Sequence, residues 1–226
     1  MLRVLVVHSS AELYGSDRSL LDFVRLKSDD YEFTIVLPET GPLVEALIQA
    51  GGRVVIGDVC KVQRGMFSPK GLFSIVASAM RSMRFMVALR RSYSFDIVYS
   101  NSIAVFGGAL VAKWWGLPHV WHIREILGGS MAVTKAFRLA VQLLSSRVIC
   151  NSRETMAWIR GSRSGDPRYD VVWNGYDLPS VQTEVSAARF QLGANSDDVL
   201  FVLVGRINSW KGHALLINSF ASVASS

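Results

Sequence analysis

Leu2-Arg-Val-Leu-Val-Val-His8-Ser-Ser-Ala-Glu-Leu-Tyr-Gly15-Ser-Asp-Arg-Ser-Leu20 is the stretch that decides the fold. A continuous apolar run, Leu2–His8, reads as a strand buried on both faces, as parallel strands are. A short polar turn containing Gly15 follows, and a helix opens near Ser16, with Ser16 or Asp17 as candidate cap. A turn between a first strand and a first helix is where a doubly wound sheet takes its ligand. The run is too short for a secretory leader and has no small-residue cleavage site.

The same alternation continues outward from that stretch. Strand-like runs are read at Phe33–Leu37, Arg53–Ile56, Ile97–Tyr99, His119–His122, Val148–Cys150 and Val171–Trp173. Amphipathic segments lie at about 16–28, 42–50, 70–91, 103–115, 131–145 and 152–160. Gly41-Pro42 opens one helix, Gly51-Gly52 closes it, and Gly116-Leu-Pro118 separates helix from strand. Alternating strands and helices imply an α/β domain with a doubly wound parallel sheet, assigned to residues 1–175. Residues 176–198 read as a linker with a helix at Glu184–Leu192. Residues 199–226 read as the opening of a second, incomplete α/β domain, with a strand at 199–204 and a helix at 212–223.

Composition narrows the class. Of 226 residues, 50% are hydrophobic and 19% charged, which suits a packed core and excludes global disorder. Cys60 and Cys150 sit in or beside apolar runs and read as buried, reduced thiols. The longest strongly apolar uncharged run, between Asp96 and Lys113, is 16 residues, short for a membrane span. The expectation is a cytoplasmic protein. Net charge is +6, yet Val59 to Phe95 alone holds seven Lys or Arg and no acid. A local partner is therefore sought for that segment.

Two further runs carry candidate chemistry. Gly205-Arg206 follows the expected strand 199–204, and Lys211-Gly212 precedes the last helix. Two fixed cations with glycines at a helix N-terminus suit a diphosphate. Val120-Trp-His-Ile-Arg-Glu-Ile126 gathers His122, Arg124 and Glu125 where the fifth strand ends.

The Gly-Arg-x4-Lys-Gly pattern resembles the donor motif of family 4 retaining glycosyltransferases, which have the GT-B fold with a Rossmann-like N-terminal domain. Tyr14-Gly-Ser-Asp-Arg-Ser-Leu20 resembles that family's glycine-rich first loop in part, since many members have Gly at Ser16 and Glu at Asp17. Asn151-Ser-Arg-Glu154 and Val172-Trp-Asn-Gly-Tyr-Asp177 resemble the family's Asn-Ser-Glu and crossover runs, and read as architectural. The resemblance implies sugar transfer from a nucleotide-diphospho-sugar to a polysaccharide or lipid-linked acceptor, with neither metal nor cofactor. It implies that His122, Arg206 and Lys211 act in catalysis. It places Gly15, Ser16 and Gly205 with Arg206 and Lys211 around the donor phosphates, and Asp17, Arg124 and Glu125 on the acceptor side. A helix cap, a partly buried ion pair and an exposed loop pair are the structural readings that compete at these three places.

Complete members carry a Glu-x7-Glu motif that is absent here, so the expectation is that the 226-residue chain alone is inactive. A non-catalytic acceptor-binding or membrane-recruiting subunit, needing a partner chain, is the alternative. Residues 70–91 carry one apolar helical face and one with Lys70, Arg81, Arg84 and Arg91. A solvated cationic face and a peripheral contact with anionic lipid both fit. Nucleic acid does not, because no binding motif accompanies the charge. A nicotinamide enzyme is disfavoured by the lack of Gly-x-Gly-x-x-Gly.

Overall fold

The computed structural model describes residues 1–62, 69–128, 130–162, 165–175, 184–207 and 211–224, without the side chains of residues 69, 70, 72 and 224. The chain divides into two units, Met1–Tyr176 and Asp177–Ser226.

The first unit runs β1 (Leu2–His8), α1 (Gly15–Lys27), β2 (Tyr31–Leu37), α2 (Pro42–Gln49), β3 (Arg53–Ile56), α3 (Pro69–Ser92), β4 (Ile97–Asn101). It continues α4 (Gly107–Trp115), β5 (His119–Ile123), α5 (Met131–Leu144), β6 (Arg147–Cys150), α6 (Arg153–Arg160) and β7 (Tyr169–Val171). All strand pairs are parallel, in the order β3-β2-β1-β4-β5-β6-β7. The order reverses between β1 and β4, so the crevice at their carboxyl ends is the switch point of a doubly wound sheet.

The core explains why the sequence folds this way. Val4 and Val6 of β1 pack with Phe33, Ile35 and Leu37 beneath α1 and α2. The alternate residues Leu5 and Val7 pack with Val98, Met86 and Val111 beneath α3 and α4. A third cluster, around Trp121, Ile123, Phe137 and Val148, fills the β5–β6 end. Arg3 ties β1 to the start of β4, since its backbone N, Nε and Nη2 all donate to Asp96. Those bonds, with the Arg3 charge, hold the Asp96 carboxyl down at about 2.

Two glycines are required by geometry. Gly116 takes φ +67°, the left-handed conformation that ends α4. At Gly108 α4 lies against β1 and β4, and a Cβ would strike the Ser100 hydroxyl and approach Val7 Cγ2 to 3.1 Å.

Two elements are displaced from expectation for a physical reason. Helix α4 begins at Gly107 rather than 103, because the chain first turns to pair Val62 N with Ala104 O and Lys61 with Val105. Strand β7 is Tyr169–Val171 rather than Val171–Trp173. Tyr169 is buried in the third cluster, while exposed Val172 and Trp173 leave the sheet.

The second unit contains α7 (Val185–Gln191) and α8 (His213–Ala224) among its described residues. The expected strand over 199–204 is corrected: no strand forms there, and Val199 and Val204 are 80% and 94% exposed. An apolar run becomes a strand only where neighbours satisfy its backbone groups, and none is supplied here among the described residues. Phe201 instead meets Phe220 of α8, ring centroids 5.6 Å apart. Residues 176–183 of the expected linker lie outside the described residues.

Replacing Gly108 by Ala forces α4 off the sheet. The expected cost is about 1–3 kcal/mol, read as a lowered urea midpoint. An unchanged midpoint would contradict the close approach.

Candidate active site

Strand register sets the site. His8 pairs with Asn101, and Asn101 with His122, so three polar side chains stand in a row at the carboxyl ends of β1, β4 and β5. All three are buried.

His8 belongs to the first turn. Its Nε2 lies 2.8 Å from Asp17 Oδ1, and its Nδ1 lies 3.1 Å from both the carbonyl oxygen and the amide nitrogen of Asn101. Asp17 also accepts from Tyr14 N at 2.9 Å and from the Ser16 and Ser10 hydroxyls. Burial pushes the Asp17 carboxyl upward, but the His8, Tyr14 and Ser16 bonds outweigh it, and the net shift is down. The Asp17 side chain has almost no exposed surface. Asp17 thus caps α1 and ties the first turn to β1 from inside. Gly15 has an ordinary φ, and a Cβ there would meet nothing within 4 Å. Neither backbone strain nor packing within the chain calls for glycine at that position.

Tyr99 Oη lies 2.6 Å from His122 Nδ1. Burial drives the Tyr99 phenol well above its ordinary value, so it keeps its proton and donates it to Nδ1. Burial, helped by the nearby Arg124 charge, lowers His122 to about 3. The ring is therefore neutral and carries its one proton on Nε2. That Nε2 is buried and has no hydrogen-bond partner among the described residues, and neither has Asn101 Oδ1. An unmatched buried donor and acceptor are costly unless a ligand satisfies them.

Both residues line a pocket of about 190 Å³, with Arg124, Trp173, Asn174 and Gly175 and with Ser19, Leu20 and Phe23 of α1. Arg124 Nη2 donates to Asn174 Oδ1 at 2.7 Å. Burial lowers Arg124 from its ordinary value, opposed by Tyr99, Glu125 and Asp17. The pocket thus offers a neutral donor, an acceptor, a partly desolvated cation and an aromatic wall. That set suits a hydroxyl-rich ring bearing an anionic group.

His122 and Arg124 are brought together here. Glu125 is not: its Oε1 accepts from Ser102 at 3.0 Å, and it does not line the pocket. His119 shares no site with either, since Nδ1 donates to Leu144 O and Nε2 accepts from Ser100. Burial lowers His119 to about 4. Ser152 accepts from Thr155 N and caps α6, as its place in the run implies. Tyr99, Asn101 and Trp173 were not singled out by sequence. Asn101 and Tyr99 depend on cross-strand register, and Trp173 reads as a strand residue.

In the second unit, a Cβ on Gly205 would lie 3.9 Å from Lys211 Cδ, so the two halves of the cationic motif are neighbours. Arg206 and Lys211 are both exposed, and α8 starts two residues beyond Lys211. Residues 208–210 lie outside the described residues.

Two predictions follow from the histidines. Folded His119 and His122 stay neutral where the unfolded rings, near 6.5, take up a second proton. Their share of stability is therefore full above about pH 6.5 and falls with pH toward 4 and 3. Between pH 7 and 5 the expected loss is about 2 kcal/mol for each ring, measured by urea unfolding. His119→Asn should remove about half of that dependence; a flat profile would contradict burial of neutral rings. In imidazole ¹⁵N NMR, His122 should show a bare Nδ1 and a protonated Nε2. Tyr99→Phe should release that preference, and an Nδ1–H in the native protein would refute the assignment.

Comparison with known proteins bears on the family and the fold. Residues 20–175 match the family described as the glycosyl transferase 4-like domain. A D-inositol 3-phosphate glycosyltransferase of Frankia alni is 30% identical over 143 residues, covering 57% of this chain and 35% of that protein. HepE of Anabaena, solved with UDP and glucose, superposes with TM-score 0.66 at 22% identity, over 98% of this chain and 58% of HepE. A glycosyltransferase of Rickettsia africae superposes with TM-score 0.68 at 14% identity, over 98% of this chain and 57% of that one. The fold is that of GT-B glycosyltransferases. The chain spans under three fifths of the length of these solved structures.

Proposed function

This chain belongs to the glycosyl transferase 4-like domain family, and from that membership we propose that it serves transfer of a sugar from a nucleotide-diphospho-sugar to an acceptor. The carrying observation is the unmatched His122 Nε2–H beside unmatched Asn101 Oδ1 in a pocket that Arg124 and Trp173 also line. The UDP and glucose held by HepE support the donor class.

In this reading residues 1–175 are the acceptor-side domain and residues 199–226 the opening of the donor-side one. His122 donates a hydrogen bond to a sugar hydroxyl or phosphate oxygen as the glycosidic bond breaks. Neutrality suits that task, because a donor that keeps its proton at neutral pH needs no titration to act. Arg206 and Lys211, with the backbone at Gly205, neutralise the diphosphate leaving group as its charge develops. Gly15 and Ser16 let the first turn approach the donor phosphates, which accounts for a glycine the fold itself does not need. Arg124 orients the acceptor, while Asp17 holds the first turn in place. No metal takes part, since the two side-chain cations supply the charge that a divalent ion would.

The acceptor is read as a polysaccharide or glycolipid precursor, with the protein on the cytoplasmic face of the membrane in peripheral contact with anionic lipid. The basic run of α3 supports that placement, although Arg81 is paired with Asp58 at 3.0 Å and the Lys70 side chain lies outside the described residues. No helix among the described residues is long and apolar enough to cross a membrane. A second reading, an acceptor-binding subunit completed by a partner chain, is favoured by one observation: the described residues of 177–226 form no strand.

Calorimetric titration with UDP and UDP-glucose tests the proposal. Saturable binding unaffected by EDTA is expected, weakened about tenfold or more in Arg206→Ala or Lys211→Ala. His122→Ala should weaken UDP-glucose more than UDP. Absence of binding, or equal losses for both ligands, would count against the assignment. Activity that arises only on adding the complementary C-terminal chain would select the second reading.

A further inference from the structure

On the α3–α4–α5 face of the first unit lies a groove of about 650 Å³ that sugar chemistry does not use. Helices α3 and α5 each pack on α4, and small residues keep the slot between them open. Ala79 and Met83 line it from α3, Ala136 and Ala140 from α5, with Phe106 and Leu110 at α4. Thirteen described residues line the groove, and Arg84 is the one charged side chain among them. The lining residues Met80 and Val76 are themselves 59% and 51% exposed, and apolar surface continues outside the groove at Phe73, 78% exposed. A volume of this size lies within the usual range for small-molecule sites.

Charge identifies the occupant. None of the three helices contains an acidic residue. Arg84, Arg91 and Lys113 are exposed and form no ion pair among the described residues, while Lys135 lines a separate pocket with Arg138 and Arg160. Arg81 and Arg90 are engaged elsewhere, on Asp58 and on the Trp115 ring. Asp58, the carboxylate that reaches α3, is taken up by Arg81 and Ser78. The exposed cations beside an apolar slot favour a ligand with an anionic head and a tail that asks for no hydrogen bonds. A peptide would bring backbone donors and acceptors that this lining leaves unmatched.

We propose that this groove takes one hydrocarbon chain of an anionic lipid from a membrane leaflet, with the lipid's charged head at Arg84. Binding then combines burial of the chain with attraction to the surrounding cations. It goes beyond surface adsorption by the basic helix, because filling the slot abolishes it while every charge remains. It is also independent of sugar transfer, since its test contains no nucleotide and no acceptor.

The full chain is floated with phosphatidylglycerol vesicles and with phosphatidylcholine vesicles. Binding to phosphatidylglycerol is expected and binding to phosphatidylcholine is not. Ala140→Trp and, from the opposite wall, Ala79→Trp each fill the slot, and either should reduce partitioning at least fivefold. Circular dichroism and urea unfolding establish that the variants fold. Fluorescence of cis-parinaric acid supplies a measurement on the unaltered chain: saturable uptake, displaced by oleate, is expected. Equal binding to the two vesicle types, undiminished binding of a folded tryptophan variant, or no uptake of parinaric acid would overturn the proposal. Failure of UDP-glucose titration would leave these results unmoved.

Discussion

One short hydrogen bond governs the candidate site: the Tyr99 hydroxyl on His122 Nδ1, at 2.6 Å. Both groups are buried, so the phenol keeps its proton and the imidazole takes up no second one. The ring's single proton is thereby directed to Nε2. A histidine that would titrate near neutrality in water becomes a fixed neutral donor. The remainder of the first unit serves to keep that arrangement in place. Parallel register puts His122 beside Asn101 and Asn101 beside His8. The buried Asp17 carboxylate then ties His8 to the start of α1, whose residues Ser19, Leu20 and Phe23 line the same pocket.

How much of this was legible in the sequence depends on whether the signal is local. The first strand, its turn and the helix after it are written in a continuous apolar run, a glycine and a capping carboxylate. His122 and Arg124 could be found because they end an apolar strand at the side where such sheets bind ligands. Tyr99 and Asn101 could not, because their importance comes from facing a particular neighbour across the sheet. Trp173 was hidden for another reason. Its apolar character reads as strand, yet β7 ends at Val171 and the indole lines the pocket. The run at 199–204 misled in the opposite sense, since its strand propensity is real but a strand needs partners. Arg81 shows the same limit for charge. The segment from Val59 to Phe95 has no acid, but Asp58 stands one residue before it and folds back onto Arg81.

The two faces of the first unit divide the chemistry. At the carboxyl ends of the strands, polar side chains converge and two of their atoms stay unmatched, which fits a hydroxyl-bearing ligand. On the helical face around α4, Arg84 is the one charged side chain among the described residues that line the groove, and Asp58, which reaches α3, is held by Arg81. Under the proposed function the two surfaces have separate uses, one to hold the reacting ring and one to hold a lipid.

The most direct test of the central claim is the imidazole ¹⁵N–¹H spectrum of the chain during titration with UDP-glucose. The Nε2–H of His122 should shift saturably as it finds its acceptor, with Nδ1 remaining bare and His119, buried between Ser100 and Leu144, unmoved. A His122 resonance that stays put at saturating UDP-glucose would contradict the account.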